Sequence, residues 1–498
     1  MRRKRGQGGL GNARPGRWRR AVTPGLLGAG VSAAVAVGAL LLVACEGLPG
    51  SAMPDVPLWV HHPGGVLSVV LRREVTISAD KTGEPYERGR PEIDAAHRRV
   101  FVGSSDHGLY ALDAITGATL WRYQTAGAVQ CEPLYEPGRD VLYFGSNDGA
   151  LYAVRASDGK LLWRFDTSAE VSRRPVLHRG TLFATNANDT LLAIDPATGK
   201  MKWFRHRTPA FGMEMSGYAG PAVHGDRVYA AFSDGVVIAY DVRDGSQRWY
   251  PVDLTAQIEQ ARTGEELRYL DVDTTPVVTK SGNDWVVIVA SYEGGLFALD
   301  AETGMQVWQN EGATGITELA LWERPAKPKP LDEPTAEPAA ADAGAPLARV
   351  AAAGDAGAAA PKGPEGRKPA IHRVLMASSS LSGLWGINPD DGKELWRRDV
   401  PSGGITVAAP IEGAALVGTT RYGVFLVSPL DGGVIDGIHS GGAFAAAPAT
   451  RGTHAFLLSN EGVLFGLHVE APSTPETPTP AWPELWPDTS RHGDPGSG

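Results

Sequence analysis

The stretch "ALDAITGATLW", residues 111–121, returns as "AVRASDGKLLW" (153–163), "AIDPATGKMKW" (193–203) and "ALDAETGMQVW" (298–308). Three of the four copies carry Asp at the third position, and all four carry Gly at the seventh and Trp at the eleventh. A short Asp or Thr side chain accepts hydrogen bonds from backbone N–H groups of a tight turn, and Gly permits the positive φ such a turn needs. The Trp that follows opens a strand and packs against a neighbouring unit. Burying one indole removes roughly 150–250 Å² from water. At about 25 cal/mol per Å² this stabilises by about 4–6 kcal/mol, an upper bound because an unfolded chain already buries some area. A residue used the same way in copy after copy is a fastener before it is a site of chemistry.

The spacing of the fasteners predicts the architecture. Trp121, Trp163, Trp203, Trp249, Trp308 and Trp396 are separated by 42, 40, 46, 59 and 88 residues. Prolines 91, 133, 175, 221, 276, 410 and 448 open apolar strands in step with them. A period of 40–45 residues holding four short strands is a propeller blade. The gap of 88 conceals one more blade, because residues 325–370 contain 16 Ala and 9 Pro without apolar periodicity and read as a disordered insertion. Removing them leaves 42, an ordinary repeat. The insertion falls between "ITELALWE" and "HRVLMASSS", inside blade six.

Closure follows from the ends. The last unit, 448–469, stops before any turn-and-Trp strand, whereas "PLW" (57–59) has no strands before it. Trp59 is therefore expected to complete the last blade and remove an open sheet edge. The prediction is an all-β, eight-bladed propeller over residues 57–470, closed by an N-terminal strand. Asp436 stands where blade seven should carry its Trp, so that blade is expected to be held less well.

Before the propeller lies a different kind of sequence. Residues 1–20 carry eight Arg and Lys and no acid, and an apolar small-residue run leads to Leu42-Val43-Ala44-Cys45. This reads as a signal peptide over 1–44 ending in a bacterial lipobox, with Cys45 lipidated and 45–56 a tether. Several acyl chains at roughly 0.8 kcal/mol per buried CH₂ give a lasting anchor. Loss of the leader takes the net charge from −9 to −17, which repels phosphate backbones and argues against nucleic acid. The second cysteine, Cys131, then has no disulfide partner within the chain. The Pro/Thr/Ser-rich tail, 471–498, is expected to be disordered.

The pattern A-x-D-x-x-T-G-x-x-x-W resembles the tryptophan-docking repeat of quinoprotein-type (PQQ-like) propellers, which include pyrroloquinoline quinone dehydrogenases and the BamB-like outer-membrane assembly lipoproteins. The resemblance covers nearly all of 57–470 and implies the fold; alone it says little about activity. Dehydrogenases of this type commonly carry a vicinal cysteine disulfide and a carboxylate-rich calcium site, and this chain has no vicinal pair. No cofactor, metal or catalytic residue is therefore expected.

Two places where the repeat breaks resemble BamB segments. "LDVDTTPVV" (270–278) is similar to the D-V-D-T-T-P stretch of that family, and it puts Asp271 and Asp273 on one face of an extended strand. They either cap a strand entry or present charge at a rim. "MEMSGYAGP" (213–221) is similar to an L-x-L-R-G-x-S-x-P loop whose apolar pair and arginine help engage the barrel-forming partner, BamA. Met213 and Met215 take the leucine positions, and Ser216 replaces the arginine. The methionines are either core-facing or an apolar anchor. The resemblance implies a non-catalytic, lipid-anchored scaffold facing the periplasm from the outer membrane. It would bind a BamA-like protein, with unfolded outer-membrane precursors as a further partner class. An adaptor with another client is the alternative, and a PQQ-dependent dehydrogenase a third. The anchor is directly testable: the wild-type chain should incorporate labelled palmitate and Cys45→Ala should not, and labelling that survives the substitution refutes lipidation at Cys45.

Overall fold

The computed structural model describes residues 65–76, 86–209, 218–261, 271–324, 373–399, 404–421, 423–438 and 443–470. All lie in one compact unit, Val56–Gly498. Cys45, Trp59, Met213, Met215, Ser216, the 325–370 insertion and the 471–498 tail fall outside the described residues.

Among the described residues thirty-two strands form eight four-stranded antiparallel sheets, the blades of an eight-bladed β-propeller. Blade two shows the plan: Leu134–Glu136, Val141–Gly145, Ala150–Arg155 and Leu161–Asp166 pair in chain order. Its two middle strands, "VLYFG" and "ALYAVR", are almost wholly buried, whereas the outer strand "LLWRFD" alternates exposed and covered positions. Middle strands are covered on both faces by the adjoining blades, so they read as continuous apolar runs. The outermost strand has water beside it and recovers the period of two. Eight apolar clusters result, each spanning two neighbouring blades. One example joins Phe101, Leu109 and Ala111 of blade one to Leu142, Phe144 and Tyr152 of blade two.

The recurrent turn and Trp form the joint between blades. Asp195 Oδ1 accepts the N–H groups of Ala197 and Thr198 at 3.0 and 2.8 Å and the Thr198 hydroxyl at 2.9 Å. The Thr198 bonds hold its carboxyl below the usual carboxylate range. Gly199, at φ +69°, lies flat on the indole of Trp163 from the preceding blade, where an added Cβ would come within 2.6 Å of the ring. The Trp163 Nε1–H donates to Pro196 O of the same turn at 3.0 Å. Trp121, Trp308 and Trp396 repeat this bond to Ala156, Pro389 and Pro429 at 2.9, 3.1 and 2.8 Å. Trp203 and Trp249 keep the glycine contact but their indole N–H groups find no acceptor.

The ring closes at blade eight in a way that corrects two expectations. The strand that completes Ala449–Arg451, His454–Leu458 and Val463–Val469 is Leu67–Glu74, eight residues beyond Trp59. Leu71 pairs with Gly466 just past a bulge, the register that Trp121 holds opposite Ala111, and Gly117 of blade one rests on Leu71. Leu71, not Trp59, fills the docking position. The second correction concerns Asp436. Blade eight has no turn at this joint, because its outer strand comes from the other end of the described residues, and a Trp in blade seven would have nothing to dock on. Asp436 is instead 2% exposed, and its Oδ2 accepts the N–H groups of Val66 and Leu67, both at 2.7 Å. The departure from the repeat is the seam's own fastener.

Blade six pairs Ile316–Glu323 with Arg373–Ser379, Glu323 lying opposite Arg373. The polar connection 255–269 begins as a helix, Leu254–Ala261, whose Leu254 and Ile258 pack into the cluster between blades four and five. Asp436→Ala leaves two seam N–H groups without their acceptor. At about 1–3 kcal/mol per unsatisfied buried group, the urea midpoint should fall clearly and amide exchange at residues 66–67 should accelerate. An unchanged midpoint and unchanged exchange would show that the carboxylate does not hold the seam.

Candidate functional site

The innermost strands of neighbouring blades touch one another. The residues entering them line a central cavity of about 890 Å³. Its wall is a network of opposed charges. Arg90 Nη1 lies 2.9 Å from Glu132 Oε2, and Arg174 Nε lies 3.3 Å from Glu132 Oε1. Arg174 Nη2 also reaches Glu92 at 3.2 Å. Burial raises the Glu92 carboxyl despite that guanidinium. Cys131 sits beneath this wall, fully buried, its thiol pointing at Arg173 O at 3.1 Å. Burial pushes that thiol up to about 12, so it stays protonated and unreactive at neutral pH.

Arg173 is the centre of the site. Its Nη1 meets Glu318 Oε1 at 2.7 Å, its Nη2 donates to Asp273 O at 3.0 Å, and its Nε donates to Tyr218 O. Tyr218 belongs to the 213–221 segment and Asp273 to the 270–278 segment, so one guanidinium binds the feet of both. Gly220 N–H donates to Thr275 Oγ1 at 3.0 Å, a second tie between them. The Tyr218 hydroxyl donates to Glu170 O at 3.0 Å and accepts the Ser172 N–H, fixing the first segment to blade three's entry. Arg173, Tyr218 and Glu318 do not stand out in the sequence. Their only trace there is "SRRP" (172–175), an arginine pair just before a blade-opening proline.

Asp271 is buried and Asp273 half-buried. Asp271 is 3% exposed, and both residues line the cavity. Burial, then the hydrogen bond with Asp271 and its charge, raises the Asp273 carboxyl to about 8. The Asp273 carboxyl is thereby favoured in its protonated form at neutral pH. Among the described residues no three His, Cys, Asp or Glu converge as a metal site would require.

Comparison with known proteins bears on the family and the fold. A family model described as outer membrane protein assembly factor BamB matches residues 137–324, which span blades two to five and both repeat-breaking segments. The outer membrane protein assembly factor BamB of Yersinia pestis is 29% identical over 221 residues, 44% of this chain and 43% of that protein. The chain is a BamB-like β-propeller built from PQQ-type repeats. The crystal structure of BamB from Moraxella catarrhalis superposes with a TM-score of 0.58 at 17% identity, covering 81% of this chain and all of that one, and shares its fold. A 1-butanol dehydrogenase (quinone) of Thauera butanivorans is 28% identical over 139 residues, 27% of this chain and 22% of that enzyme. The chain matches less than half the length of these curated relatives.

The carboxyl pair of this BamB-like propeller makes a signed pH prediction. Asp273 titrates near 8 when folded and near 4 when unfolded. The folded state thus binds the extra proton, and stability falls as pH rises between those values. Asp273→Asn removes that loss. Urea unfolding should show the variant gaining on wild type from pH 5 to 8, with the gap closing near pH 4; parallel curves would mean that the Asp273 carboxyl is not raised in the folded state.

Proposed function

We propose that this propeller is a non-catalytic, lipid-anchored scaffold that assists assembly and insertion of β-barrel proteins into the outer membrane, facing the periplasm and binding a BamA-like partner. The supporting observation is the BamB family match over residues 137–324, the span that carries both 213–221 and 270–278. In this reading Met213 and Met215 supply an adaptable apolar contact and Ser216 a small polar one. Asp271 and Asp273 act differently. They line the cavity, with Asp273 half-buried and its backbone tied through Arg173 to the foot of the methionine loop, and they set the shape of the contact surface and the charge beside it. Unfolded outer-membrane precursors would then reach the partner from the same end of the propeller.

The test is photocrosslinking in intact envelopes from a probe at Met215. Capture of a BamA-like barrel protein is expected, together with loss of co-purification in Met213→Asp/Met215→Asp. Repeated capture of a different protein instead would favour an adaptor with another client, a reading that the serine at position 216 keeps in play. The quinone-dehydrogenase relative is addressed separately: stoichiometric binding of pyrroloquinoline quinone with Ca²⁺ and dye-linked turnover by the purified chain would overturn the scaffold reading.

A further inference from the structure

Away from the central cavity, a groove of about 720 Å³ opens between blades five and six. Val278, Lys280 and Trp285 form one wall, and Leu321, Glu323 and Arg373 the other. Trp285 is none of the docking tryptophans, and it is 38% exposed. It is nonetheless held firmly. The His224 ring packs against it at a tilt of 33° with centroids 3.8 Å apart, and the Lys280 ammonium lies 5.6 Å from its centroid. The groove floor is fixed by Arg373, which donates to Lys280 O and to Asp390 Oδ1, both at 2.7 Å. A preset, half-exposed indole beside aliphatic side chains suits a proline-rich strand, whose rings stack on aromatics and whose extended helix loses little entropy on docking.

The groove is also where the chain departs from blade six and returns to it. Glu323 and Arg373 lie opposite each other in the last pair of that hairpin, and both line the groove. The first residues of the departing sequence are "RPAKPKPLDEP" (324–334), with prolines at 325, 328, 330 and 334. At about 3.1 Å per residue an extended polyproline helix carries Pro330 no farther than about 19 Å from Arg324, so the segment begins beside Trp285. Tethering at this distance gives a local concentration on the order of millimolar, which a separate proline-rich chain would have to match.

We propose that this groove is the docking place of the chain's own segment 324–334, its prolines packing on Trp285 and Leu331 facing Val278 and Leu321. The insertion is thereby fastened at its start, and only the residues after 334 extend from the propeller. This docking is independent of the identity of any partner.

The test uses the purified full chain with Lys280→p-benzoylphenylalanine. Irradiation should yield a link within one chain to residues 324–334, identified by mass spectrometry and insensitive to dilution. Trp285→Ala, and separately Pro328→Ala/Pro330→Ala, should each lower the yield about tenfold, as loss of one aromatic contact implies. The first variant changes a surface indole and the second leaves every strand untouched, so unaltered circular dichroism is the folding control. Links confined to blade residues, links only to 335–372, a concentration-dependent link between two chains, or yields unaffected by both variants would each overturn the proposal.

Discussion

Each blade has two apolar faces and can bury neither alone, so no blade is stable until blades stand on both sides of it. The glycine-on-indole joint meets this constraint in the least space. A turn glycine without a Cβ lets the backbone of one blade lie directly on the Trp of the blade before it, at Trp121, Trp163, Trp203, Trp249, Trp308 and Trp396 alike. Any larger residue at those glycines would drive a carbon into the ring and require a backbone conformation that side chains disfavour. The indole N–H, where it finds a carbonyl, adds direction to what is otherwise a flat apolar contact. Everything else in the ring, from the eight clusters to the central cavity, depends on that joint setting the distance between blades.

The same constraint explains why the seam departs from the repeat. A joint needs a turn on one side and an indole on the other, and at blade eight the turn is missing because two distant parts of the chain meet there. An entering strand leaves N–H groups uncovered where a turn would have used them, and a carboxylate is the group that satisfies two donors at once. Asp436 and Leu71 thus substitute for Trp at the two joints that flank blade eight: Asp436 at the joint with blade seven, where there is no turn to dock on, and Leu71 at the joint with blade one, where it lies under Gly117.

Much of this was legible in the sequence, and the rest was hidden for identifiable reasons. The Trp spacing yields the blade count because a repeated joint enforces a repeated length. Trp59 looks like the seam because a Trp marks the joints before it, while "LSVVLRRE" (67–74) offers only the alternation of an ordinary strand. Alternation places Asp271 and Asp273 on one face but carries no information about depth, so a pair that lines a cavity reads the same as a pair at a rim. Arg173 is invisible for a related reason. Its three partners, Tyr218, Asp273 and Glu318, are 45, 100 and 145 residues away, and only the ring brings them together.

The seam has one more consequence. Glu470 N–H donates to Val66 O at 2.7 Å, so the sequence before the first strand and the sequence after the last one leave the propeller side by side. The ring itself is indifferent to where the polypeptide is cut. Its order of blades is cyclic, and the seam marks only the place at which a linear chain closes a circular object.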